Sequence, residues 1–173
     1  SSIPWNFSPV LDLGLDPRFP RQFETFGEDP LMVERFGDAM IKGYQGEKND
    51  VSNKYNVAAC MKHFVGYQAV ISGKDRTPAY IPDNVLSEYH IEPFKKAIES
   101  GAKTIMINSG LINGFPVHAD YNLMINVLRN KLGFQGVILT DWEDIRKLHD
   151  RDKVAKNQRE AIKIAINAGI DMS

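Results

Sequence analysis

Apolar runs in this chain end on side chains able to do chemistry: Asp12 after Trp5 to Leu11, Lys62-His63 after Val57 to Met61, Asn108-Ser109 after Thr104 to Ile107, and Asp141-Trp142 after Val137 to Thr140. Asp141 beside Trp142 is the most informative pair. A carboxylate there can attack or stabilise an oxocarbenium-like centre, while an indole face stacks on the apolar face of a sugar ring. The competing reading is structural, with Asp141 capping a helix that begins near Glu143. Lys62 and His63 together supply several donors, which suits neighbouring hydroxyls. A structural His and a Lys paired with a carboxylate would look the same. Arg21, in Pro17-Arg18-Phe19-Pro20-Arg21, can fork onto hydroxyls or bridge to Glu24 or Glu28.

Other chemistries find no support. His63, His90, His118 and His149 lack metal-site spacing, and no glycine-rich phosphate loop opens a helix, so neither a metal nor another cofactor is expected. Cys60 lies inside an apolar run and reads as core; as the lone cysteine it excludes an internal disulfide. With 21 Lys+Arg against 22 Asp+Glu, the net charge of -1 gives no basic excess for nucleic acid. Charge, Gly and Pro break every apolar run before it could span a bilayer, so no membrane partner is expected. The start, Ser-Ser-Ile-Pro-Trp-Asn, carries no basic n-region and no signal-peptide core.

The elements that must position these residues alternate. Strands are predicted at Trp5 to Leu11, Val57 to Met61, Thr104 to Ile107 and Val137 to Thr140, with a further start at Ile170-Asp171-Met172. Asp29-Pro30 opens a helix that Gly46 ends, with Met32, Phe36, Met40 and Tyr44 as its apolar stripe. Val85, Leu86 and Tyr89 begin a helix that Pro93 interrupts or restarts and Gly101 stops. Leu123 to Leu132 is helical up to Gly133, and Asn157 with Glu160 starts a last helix bearing Ala161, Ile162, Ala165 and Ile166. The Gly66 to Pro82 stretch is too long for an ordinary connection and is assigned function or flexibility. Buried strands alternating with helices imply α/β architecture with a parallel sheet. At 173 residues the chain holds four βα units and the start of a fifth, against roughly 250 residues for a (β/α)8 barrel. Periodicity leaves half a barrel and an open doubly wound sheet as alternatives.

In order along the chain, these segments resemble glycoside hydrolase family 3, the β-glucosidase-type exo-hydrolases. Asn6 to Asp12 with Asp16-Pro17-Arg18-Phe19-Pro20-Arg21 resembles the family's strand and "DPRWGR" loop, and Glu24 to Pro30 its "E-x-(F/Y)-(G/S)-E-D-P". Lys62-His63-Phe64-Val65-Gly66 is similar to "KHF-x-G", and Thr140-Asp141-Trp142 to the "SDW" motif with Thr for Ser. The resemblance implies a partial TIM-like (β/α)8 barrel, residues 1–173 being the central part of one catalytic domain truncated at both ends. It implies a retaining exo-β-glucosidase without cofactor, with Asp141 as nucleophile and Arg21, Lys62 and His63 holding sugar hydroxyls in subsite −1. Trp142 lines that site, the substrate is a β-glucoside or oligosaccharide, and the location is periplasmic or secreted. The family's early sugar-binding Asp and the acid/base Glu of its second domain are missing from these residues. The loop after Lys62-His63 has no His of the kind the N-acetylglucosaminidase branch uses, and Ser109 stands where many relatives carry Tyr. A half-barrel would leave open edges at Trp5 to Leu11 and Ile170 to Met172 and expose inward apolar side chains such as those of Val57 to Met61, so self-association is expected. The alternative is a non-catalytic half-barrel module that keeps the motif without turnover.

Overall fold

The computed structural model describes residues 3–173. Strands β1 (Trp5–Asn6), β2 (Ala58–Phe64), β3 (Thr104–Ile107) and β6 (Val137–Leu139) form a four-stranded sheet in the order β1-β2-β3-β6. Every neighbouring pair is parallel, and Met172 bridges to Leu139 at the far edge. Each new strand adds on the same side, with no reversal of order. A doubly wound sheet has such a reversal and a barrel does not, so the alternative left open by periodicity is decided for the barrel.

Helices α1 (Pro30–Gln45) and α3 (Glu92–Glu99) connect the first strands, α3 being preceded by a single turn α2 (Asp83–Val85) and a π-helical segment Leu86–His90. Pro93 sits in the first turn of α3, where its missing N–H costs no helical bond. A small hairpin, β4 (Leu111–Ile112) with β5 (Phe115–Pro116), and a π-helical segment Asn122–Lys131 lead to β6; α4 (Asp144–Asp150) and α5 (Gln158–Ala168) follow. The expected caps of α1 and α5 are present: Asp29 accepts from the Leu31 amide and Asn157 from the Glu160 amide. Among the described residues no helix is long and apolar enough to cross a membrane.

Four expectations need correction. The strand predicted at Trp5 to Leu11 pairs as a ladder only at Trp5–Asn6, with one further bridge from Val10 to Lys62, because Pro9 has no N–H to give. The second strand runs on to Phe64, so Lys62 and His63 lie within its last residues rather than after it. The buried face of α1 is Val33, Gly37, Ile41 and Gln45, one residue over from the expected stripe; Met32 and Phe36 are exposed. Close approach explains the rotation. A Cβ on Gly37 would lie 2.7 Å from Leu11 Cδ2, and Gln45 donates to the Gly101 carbonyl (2.8 Å) while accepting from the Ala59 amide (3.1 Å). Likewise Ala161, Ala165 and Ala168 bring α5 against the core, while Ile162 and Ile166 remain exposed.

The sheet has two different faces. Ala59, Met61, Ile105, Ile107 and Ile138 join the main core beneath the helices, whereas Cys60, Met106 and Leu139 form a separate small cluster against Trp5. Cys60 is fully buried there, so the inner side of β2 is less open than expected. Trp5 closes the cluster by donating from Nε1 to Thr104 Oγ1 at 2.8 Å.

Candidate active site

Above that inner cluster, at the C-terminal ends of the strands, a cleft of about 890 Å³ is lined by Arg21, Lys62, His63, Asp141 and Trp142, with Met106 and Leu139 at its base. This is where parallel βα units present ligand-binding groups. All five residues singled out for this site from the sequence thus border one space.

Lys62 and His63 owe their place to β2, whose register on β3 shifts between Lys62 and Phe64. The buried His63 ring brings Nδ1 to 2.8 Å from Asp12 Oδ2, and the same oxygen accepts from the His63 amide at 3.3 Å. An Nδ1–H donated to that carboxylate leaves Nε2 as the nitrogen able to act in the cleft. Lys62 is half-buried, and among the described residues no side chain bonds its ammonium. Arg21 takes the carboxylate option of its two sequence readings. Its Nε and one terminal nitrogen donate to the two oxygens of Glu24 (2.8 and 2.9 Å), and the other donates to Tyr67 Oη at 2.9 Å. The Glu24 bond is the largest of the effects that raise the Arg21 pKa above its ordinary value.

Asp141 does not cap α4. Its Oδ1 accepts from the Trp142 amide (2.7 Å) and its Oδ2 from Arg76 (2.7 Å), while α4 begins only at Asp144. Burial pushes this carboxyl up. The Trp142 N–H and the Arg76 guanidinium, with nearby His63, outweigh that and hold it below the usual carboxylate range. Trp142 stands 83% exposed on the rim, an open aromatic face. Glu143, expected in the first turn of α4, precedes it with a left-handed φ of 57° and pairs with Arg146 at 3.5 Å. Asn108 is structural, bonding the Val65 carbonyl (2.7 Å) and the Gly110 amide (2.6 Å). Ser109 donates to buried Asp144 and not to Asp141.

Sequence reasoning missed Arg76. The only available signal was the length of its loop, since its partner lies 65 residues away.

Residues 1–173 match the family described as Glycosyl hydrolase family 3 N terminal domain. The chain belongs to glycosyl hydrolase family 3. Among family 3 relatives, it is 47% identical over 175 residues to the lysosomal beta glucosidase of Dictyostelium discoideum, covering 99% of this chain and 21% of that protein. The periplasmic beta-glucosidase of Salmonella typhimurium is 32% identical over 167 residues, 96% of this chain and 21% of that protein. The solved structure of a beta-glucosidase from Listeria innocua superposes with a TM-score of 0.93 at 33% identity, covering 96% of this chain and 23% of that one. The fold is therefore the partial TIM-like barrel of family 3, and the chain spans about a fifth of the length of these curated relatives.

Proposed function

We propose that these residues form part of the catalytic barrel of a retaining, exo-acting β-glucosidase, and that they supply its sugar-binding subsite and its nucleophile. The carrying observation is the Asp141 carboxylate, ionised and fixed by Arg76 and the Trp142 amide in a cleft shared with Arg21, Lys62 and His63. Glucose is preferred on the 47% identity to the Dictyostelium beta glucosidase, and xylose is the competing sugar, since the 36% to a beta-xylosidase of Formosa agariphila exceeds the 32% to the Salmonella beta-glucosidase.

In this reading Asp141 attacks the anomeric carbon. An Asp141 Oδ–C1 bond forms as the C1–O bond to the leaving group breaks, and water later releases the sugar by the reverse geometry. The Lys62 ammonium donates to a ring hydroxyl, His63 Nε2 accepts from one, Arg21 offers the N–H groups left over from Glu24 and Tyr67, and Trp142 covers an apolar sugar face. The carboxyl that protonates the leaving oxygen must lie about 5–5.5 Å from the nucleophile in a retaining enzyme. Glu143 is engaged with Arg146, so the acid is assigned to a second domain of a longer parent chain, along with the remaining barrel strands. Trapping with a 2-deoxy-2-fluoro-glucoside and mapping the modified peptide tests the assignment; the label is expected on Asp141.

A further inference from the structure

Arg21 and Asp141 border the same cleft from different segments, and an unbroken chain of hydrogen bonds joins them behind it. Arg21 donates to Tyr67 Oη (2.9 Å), and Tyr67 Oη donates to Asp75 Oδ1. Asp75 Oδ2 accepts from one terminal nitrogen of Arg76 (2.8 Å), whose other terminal nitrogen donates to Asp141 Oδ2 (2.7 Å). Tyr67 is buried, its ring edge-on to Phe19 at 5.4 Å and tilted against His63 at 4.2 Å.

The loop that carries Asp75 and Arg76 is pinned at its base. Val70 and Ala79 bridge across it, Ser72 and Thr77 share a 2.6 Å bond, and Arg18 donates to the Ile71 carbonyl at 3.3 Å. A pinned loop can hold its tip residues in one geometry.

We propose that Tyr67 and Asp75 are positioning residues that hold Arg76 on Asp141 and lock that contact to Arg21, so that nucleophile and sugar-binding fork move as one unit. The inference rests on the assignment of Asp141 as nucleophile. Two requirements follow from the chemistry of the chain. Its centre must accept from Arg21 and donate to a carboxylate at once, which a phenol does and a phenyl ring cannot. Its anion must outlast the reaction: when Asp141 becomes an uncharged ester, Arg76 loses one carboxylate partner, and Asp75 remains to fix it for the second step. Burial first, and then Asp75, raises the Tyr67 phenol above its ordinary value, so it stays protonated as the donor.

The test uses the full-length parent enzyme, with Tyr67→Phe, Asp75→Asn and Arg76→Ala. The acid limb of kcat/KM reports the nucleophile in the free enzyme. The charged or titratable groups around Asp141 are Arg76 and Asp75 from the loop, Lys62 and His63 from β2, Arg21, and Glu143 on its own segment. Tyr67→Phe removes no charge from this set; it gives up the bond to Arg21 and acts on Arg76 through Asp75. Loosening Arg76 should move the limb upward by roughly 0.5–1 unit in Tyr67→Phe, part of the shift that a full Arg neighbour produces, and by less in Asp75→Asn, where loss of the Asp75 charge works the other way. In the Arg76→Ala background, Tyr67→Phe should add nothing. Tyr67→Phe conserves ring volume and decides alone if Asp75→Asn does not fold. A fluoro-sugar label on Asp141 in the wild type, with limbs in both variants coinciding with wild type while Arg76→Ala shifts its own, overturns the relay and leaves the nucleophile standing. A label on another carboxylate overturns both.

Discussion

On the helix-covered side of the sheet, Met61, Ile105, Ile107 and Ile138 merge into one continuous core with the apolar faces of α1, α3 and α5. On the other side, Cys60, Met106 and Leu139 make a cluster of three, backed by Trp5, and the cleft opens directly over it. The two faces divide the labour. Alternation along each strand sends one set of side chains to fix where the strand lies and the other to floor the reaction space. Polar residues concentrate at the strand ends of the sparsely packed face, where His63, Asp141 and Arg21 are each held by a specific partner and the Lys62 ammonium is left to the cleft.

The largest effect expected from this asymmetry concerns the 173 residues in isolation. With one sheet face thinly covered, β1 at an open edge of the sheet, and exposed Ile162 and Ile166, the chain alone should self-associate. Without a general acid it should also lose about 10²–10⁴-fold in turnover. Light scattering after size exclusion, paired with an aryl β-glucoside assay, checks both; a stable monomer with parent-like turnover would contradict both.

Next in size is the contrast between adjacent residues of β3. Ile105→Ala, on the helix face, should cost toward the upper end of about 2–5 kcal/mol, and Met106→Ala, whose side chain borders the cleft, toward the lower end. Urea unfolding of the two variants in parallel measures the difference, and a Met106 loss equal to the Ile105 loss would erase the distinction between faces. Smaller again are Lys62→Ala and His63→Ala in the parent enzyme. Each should remove about 1.5–3 kcal/mol of transition-state stabilisation, as for hydrogen bonds involving charge, with the Lys62 ammonium the more sensitive of the two. Unchanged kcat/KM in both would return the pair to a structural role.

Local signals were the legible ones. Asp29-Pro30 and Gly46, or Asn157 and Gly169, state where helices start and stop because a cap needs only its own neighbours. The helix stripe on α1 misled because Gly37 and Gln45 are buried by close approach and by backbone hydrogen bonds, which hydropathy does not register. The end of β2 misled because Lys62 and His63 are polar yet keep their strand pairing, the Lys62 amide donating to Pro9 and its carbonyl accepting from Leu11. Strand-end position brought Arg21's neighbours Lys62, His63, Asp141 and Trp142 into view. It could not reveal Arg76, whose role depends on a loop folding back across the cleft, nor which carboxylate Arg21 would take.

The proposed function turns on one carboxylate. Incubating the parent enzyme with a 2-deoxy-2-fluoro-glucoside bearing an activated leaving group, then mapping the peptide that gains the sugar mass, reads it directly. Time-dependent inactivation with one sugar attached at Asp141 is the expected result. A sugar on any other carboxylate, or inactivation that leaves Asp141 unmodified, would contradict it.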